Sequence, residues 1–194
     1  MKNITILILL QLNVFLLFGQ NSGGYDKIGK FELGRAKVQL NGLYGIIDIE
    51  GKEIVSPKYD VIQSFKNNHA RVSVNKLWGI IDGNGKEIIP VKYNKIGVFK
   101  DHKAKIVENE KWGIVDWDGK ILVTPKYEKI IDIDRGMAKV LSNGYWGIID
   151  KDGKEIAHPK YEKIKSYEND RAKVYLNGKW GVIDRNGKEI VKVN

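Results

Sequence analysis

From Tyr25 onward, apolar and polar positions return on a fixed schedule. The pairs Ile46-Ile47, Ile80-Ile81, Ile114-Val115, Ile148-Ile149 and Val182-Ile183 recur every 34 residues, each after a Tyr-Gly or Trp-Gly step and each before an Asp. Ile28, Ile62, Ile96, Ile130 and Ile164 keep the same phase, as do Ala36, Ala70, Ala104, Ala138 and Ala172. β-Branched pairs beside aromatic residues suit strands rather than helices. A period unbroken by insertion or deletion is the first fact about such a chain, because it decides how the rest is read. The units are 25–58, 59–92, 93–126, 127–160 and 161–194, together one repeat domain over 25–194.

In the second unit the pattern predicts strands at 61–65, 70–74, 78–82 and 86–89, with turns at 66–69, 75–77 and 83–85. Asp82 can accept backbone N–H bonds inside the last turn, Gly85 supplies the positive φ, and Pro90 is expected to stop the ladder. Each unit is then a short antiparallel meander, and the fold class is all-β. A lone meander cannot bury its apolar faces, so the units must stack. The first and last units look like the middle ones, which favours a small β-propeller-like ring. The alternative is an open β-solenoid, because 34 residues is short beside the roughly 40 to 50 of known blades.

The signature Trp/Tyr-Gly-Ile/Val-Ile/Val-Asp-x-x-Gly-Lys, followed by Pro-Lys-Tyr, resembles the WG repeat family, also described as KWG repeats, found in bacterial exported and surface proteins. The resemblance covers Tyr25 to Asn194. It implies a β repeat array of largely undefined molecular function and transfers no catalytic residues. The departures are small: Tyr44 stands for Trp, Val91 follows Pro90, and Ile121 stands for Glu.

The first residues differ from the repeats. Lys2 is followed by an apolar run from Ile4 to Phe18, interrupted by Thr5, Gln11 and Asn13 and ended by Gly19. This run is shorter than the about 20 residues needed to span a bilayer, so 1–19 reads as a signal peptide cut after Gly19, with 20–24 a short leader. The expected location is secreted or periplasmic, and the absence of Cys leaves packing alone to stabilise the exported chain. An uncleaved anchor is the alternative.

Charge narrows the expected partners. Thirty-three Lys and Arg against 24 Asp and Glu give +9, which favours anionic polysaccharide or acidic protein. No nucleic-acid partner is expected. In a repeat array equal positions line up, so Lys52, Lys86, Lys120, Lys154 and Lys188 form one candidate binding row, with Glu53, Glu87, Glu155 and Glu189 on the other sheet face beside four of them. Lys37, Arg71, Lys105, Lys139 and Lys173 form a second row that could engage polyanions. Trp78, Trp112, Trp146 and Trp180 read as packing between units. Trp117 has no counterpart, lies in a hairpin, and is expected to be solvent-exposed as a ligand platform unless it lies back on its own sheet.

No catalytic site, cofactor or metal is expected. His69, His102 and His158 occupy non-equivalent positions, and the hairpin acids match only part of a calcium loop. No nucleophile elbow, zinc helix or phosphate loop is present. The sequence therefore points to a non-catalytic binding or scaffold module, able to associate with the envelope, for an unknown protein or anionic glycan. The alternatives are an enzyme acting on surface polysaccharide and a structural envelope protein assembling through its repeats.

Overall fold

The computed structural model describes residues 24–132 and 136–193. The expected signal segment, 1–19, and the leader up to residue 23 lie outside them. All regular elements among the described residues are strands, arranged as five four-stranded antiparallel sheets, one per repeat. The first sheet holds β1 (Lys27–Ile28), β2 (Arg35–Leu40), β3 (Leu43–Asp48) and β4 (Glu53–Tyr59); the second β5 (Val61–Ile62), β6 (His69–Val74), β7 (Leu77–Asp82) and β8 (Glu87–Tyr93). The third holds β9 (Lys95–Ile96), β10 (Lys103–Glu108), β11 (Lys111–Asp116) and β12 (Ile121–Tyr127). The fourth holds β13 (Lys129–Asp132), β14 (Ala138–Ser142), β15 (Tyr145–Ile149) and β16 (Glu155–Tyr161), and the fifth β17 (Lys163–Ile164), β18 (Arg171–Leu176), β19 (Lys179–Asp184) and β20 (Glu189–Val191). Each sheet is a meander in chain order. The first four sheets close one residue beyond the units read from the sequence, the first at Tyr59.

The described residues up to Val91 and those from Lys92 onward form two compact units. In the first, Ile46, Val55 and Tyr59 bury against Ile62, Ala70, Val72 and Ile81 of the next sheet. In the second, Val123 and Tyr127 bury against Ile130, Ala138, Val140 and Ile149. The opposite face of that fourth sheet presents Ile148, Ala157 and Tyr161 to Ile164, Ala172, Val174 and Ile183 of the fifth. Neighbours along a strand point to opposite faces, so Ile148 serves one interface and Ile149 the other. Burial on both faces is why the repeat carries an apolar pair where a half-exposed strand would alternate.

Two expectations from the sequence are corrected. β8 runs through Pro90 instead of ending before it; it is an edge strand, where a missing N–H removes no ladder bond. The strand expected over 61–65 shrinks to β5. The ladder continues irregularly, with Gln63 N–H donating to Arg71 O at 2.9 Å and Lys66 N–H to His69 O at 2.8 Å, one side advancing three residues while the other advances two. Asn67 and Asn68, at φ 49° and 63°, make the turn.

The outer strands are strongly bulged. Trp112 pairs with Tyr127 but Ile114 pairs with Val123, so a two-residue step on β11 faces a four-residue step on β12. The slack lays Pro125 over Gly113, where an added Cβ would lie 2.4 Å from the Val123 carbonyl oxygen and 2.8 Å from the Pro125 nitrogen. Gly45 under Pro57 and Gly147 under Pro159 are the same contact. The Trp-Gly and Pro-Lys-Tyr parts of the repeat are thus two halves of one packing arrangement. Gly113→Ala should lower stability by about 3 kcal/mol, because the colliding atoms are backbone and cannot swing away. Gly144→Asn, at a turn with open space around it and φ 78°, should change stability by less than about 1 kcal/mol, as Asn tolerates that conformation. Urea unfolding of both variants measures the difference; equal losses would remove the contact as the reason for Gly113.

Candidate functional site

An Asp at or just past the end of each β3-type strand organises the following hairpin. Oδ1 of Asp48, Asp82, Asp116, Asp150 and Asp184 accepts the N–H of Lys52, Lys86, Lys120, Lys154 and Lys188 at 2.8–2.9 Å. The same oxygen accepts the N–H two residues after the Asp at 2.8–3.1 Å. The backbone of the first Lys row is therefore fixed five times over, while all five side chains are exposed. Among the described residues, none of these ammonium groups has an ion-pair partner. Lys52 also borders a cleft of about 500 Å3 with Arg35, Asp48 and Glu53.

The second row behaves differently. Lys37 Nζ donates to the Ile62 carbonyl at 3.4 Å, Lys139 Nζ to the Ile164 carbonyl at 3.1 Å, and Lys105 Nζ to Asp132 Oδ2 at 2.8 Å. Arg71 is partly buried, and that burial lowers its pKa. Three members of this row, Lys37, Lys105 and Lys139, are thus tied to the next sheet, Lys37 while still exposed, and Lys173 is exposed. Trp117 is also corrected: it is half-buried, its ring edge-on to Phe99 at 4.6 Å and 77°. Arg185, two repeats later at the same position, lies over Tyr167 at 5.6 Å, so this hairpin site covers the loop aromatic of its own sheet. Trp112 and Trp146 are half-buried against the cores, as expected of packing residues. Trp180 is 45% exposed, with Lys165 Nζ 5.2 Å from its ring centre.

The sequence reading placed the Glu row on a sheet face but passed over the tyrosines that bond it. Tyr59 donates its hydroxyl to Glu87 Oε1 at 3.0 Å, Tyr161 to Glu189 Oε1 at 3.0 Å, and Tyr127 to Glu155 Oε1. Each Tyr closes one sheet and each Glu opens the outer strand of the next, 28 residues on. Lys126 and Lys160 add their ammonium groups to the same carboxylates at 2.9 and 2.8 Å. Burial, and then the Glu hydrogen bond, pushes Tyr59, Tyr127 and Tyr161 above the ordinary phenol range. Tyr127 and Lys126 in turn hold Glu155 down to about 2. The signal lay in the sequence as a Tyr and a Glu repeating in phase, and Ile121 breaks it once. Tyr93 accordingly lies beside Lys92, which binds Glu108 at 3.2 Å.

Aromatic-Gly, Asp, Gly-Lys-Glu and Pro-Lys-Tyr thus each have an assigned place in the sheet. A family model described as WG containing repeat matches residues 44–78, 78–112, 112–146, 146–180 and 180–193. The chain belongs to the WG containing repeat family. A search of curated proteins finds no match. Among solved structures the WG repeat chain is similar to Hsv2p of Kluyveromyces lactis, at 13% identity and a TM-score of 0.34 over 85% of this chain and 63% of that one. It is also similar to PorZ, a bacterial surface component of the type-IX secretion system of Porphyromonas gingivalis, at 11% identity and 0.36 over 86% of this chain and 26% of that one. The chain therefore spans less than two thirds of either protein, and scores this low carry nothing over from them.

One cleft breaks the equivalence of the WG repeats. It has a volume of about 440 Å3 and is lined by Lys126 and Tyr127 of β12, Ser142, Asn143 and Tyr145 around the β14–β15 turn, and Glu155, His158 and Pro159 of β16. His158 Nδ1 lies 3.1 Å from Glu155 Oε2. Among the described residues no three His, Cys, Asp or Glu side chains converge as metal ligands.

Two measurements test the Tyr–Glu contacts. Tyr127→Phe should lower stability by about 1–2 kcal/mol, since it strips a charged acceptor of its donor, and Tyr93→Phe, which faces no Glu at position 121, should cost less. The pH profile should fall at both ends. Glu155 is depressed when folded, so the stability it contributes is present above about 4.5 and is lost as pH falls toward about 2. The raised tyrosines hold their protons, so their contribution is present below 10.0 and fades as pH rises beyond it. Melting temperatures across pH, with Glu155→Gln flattening the acid limb, provide the check.

Proposed function

We propose that this WG repeat chain is an exported, non-catalytic binding module, secreted or periplasmic, that uses its first Lys row to hold an acidic protein or anionic glycan. The observation that carries this reading is the division of labour among its cations. Lys37, Lys105 and Lys139 reach the next sheet, and Lys126 and Lys160 neutralise Glu155 and Glu189. Lys52, Lys86, Lys120, Lys154 and Lys188 do neither, and stand exposed on hairpins already fixed by Asp. Cations without an internal role supply a positive field at no expense to the fold, and such a field selects anionic partners. A repeated presentation adds avidity for a polymer whose own charges repeat.

Binding of the mature chain to polygalacturonate tests the reading. Replacing the five lysines together with Gln should weaken it at least about tenfold while the melting temperature stays within a few degrees, and about 0.5 M NaCl should abolish it. Unchanged binding by the variant would sink the Lys-row mechanism.

A further inference from the structure

We infer that the cleft between β12 and β16 is a second binding site, for an uncharged pyranose residue, separate from the Lys row. Its position is where the copies part company. Ser142, Tyr145 and His158 face the cleft, whereas the equivalent positions hold Leu40, Val74, Glu108 and Leu176; Leu43, Leu77, Lys111 and Lys179; and Ser56, Pro90, Thr124 and Lys192. Three departures from the repeat, spread over 17 positions, are brought to one cavity by the β14–β15 turn and the bulge in β16. That bulge, opposite Gly147, swings His158 outward until its side chain is 80% exposed.

The chemistry of the lining selects the ligand class. Tyr145 is 45% exposed and offers an apolar ring beside polar groups. A pyranose has the matching form, with one face of C–H groups and a rim of hydroxyls, and stacks on such a ring. Around the ring stand a carboxylate, an amide, a hydroxyl and an imidazole, which together both donate to and accept from sugar hydroxyls. The carboxylate is already balanced, because Lys126 Nζ sits 2.9 Å from Glu155 Oε1. Oε2 retains acceptor capacity beside His158 at 3.1 Å. Local neutrality of this kind favours a neutral polyol over an anion, in contrast to the Lys row. The volume of about 440 Å3 lies within the about 300–1,000 Å3 usual for small-molecule sites.

Saturation-transfer NMR on the mature chain with the methyl glycosides of glucose, galactose, mannose and N-acetylglucosamine tests the site. At least one glycoside should receive saturation on its ring C–H protons, in 0.5 M NaCl as at low salt. Tyr145→Leu should weaken its binding at least about tenfold, and Leu is compatible with the fold because it already stands at positions 43 and 77. Tyr145→Trp should retain binding, as should the five-Lys variant, which separates this site from the Lys-row reading. Absence of transfer to all four glycosides, or undiminished binding by Tyr145→Leu, would overturn the inference.

Discussion

A four-stranded sheet with apolar residues on both faces has no stable existence by itself, and each feature of this repeat answers that constraint. The apolar pair places one side chain on each face, so every sheet needs a neighbour. Once neighbours are required, the distance between them must be kept small and constant. The Gly under the Pro bulge does this within the sheet. The hairpin Gly does it between sheets, where an added Cβ on Gly85 would lie 2.7 Å from the Ile54 carbonyl oxygen. Close stacking then buries the tyrosines that end each sheet, and buried phenols need acceptors. The Glu row supplies them at Glu87, Glu155 and Glu189.

Much of the fold could be read from residues alone. Period, fold class, core positions and the Asp–Gly hairpin all follow from spacing and residue type, because a repeat writes the same local rule several times. Less legible were the places where tertiary geometry overrides local preference. Pro90 reads as a stop in any short window, and its toleration depends on β8 lying at a sheet edge, which a window cannot reveal. The Asn-Gly steps at 41–42, 143–144 and 177–178, a strong hairpin signal, went unused although both residues of each take positive φ.

The candidate site was read less well, for a specific physical reason. Neighbours along a strand point apart, so rows of charge can be assigned to faces from sequence, but whether a face meets solvent or the next sheet cannot. Lys37, Lys105 and Lys139 were placed on a surface and proved to be ties. For Trp117 the sequence left two places open, in solvent or back on its own sheet, and it takes the second, against Phe99. The cleft at Tyr145 joins residues from four strands and a turn across a sheet boundary. Its three distinctive members, Ser142, Tyr145 and His158, are scattered in the chain and share only being exceptions to the repeat.

The Asp that heads each hairpin reaches forward to backbone N–H groups and takes no part in what the intervening residue does. The loop keeps its form with Ile49, Trp117, Lys151 or Arg185 at its first position. Shape there is set by main chain and one carboxylate, and side-chain identity is left open. Four copies consequently carry four different residues there on one loop form, while the second keeps Gly83, where an added Cβ would lie 2.0 Å from Asn68 Oδ1. A chain built this way can diversify its surface one hairpin at a time, keeping a uniform interior under an exterior free to become particular.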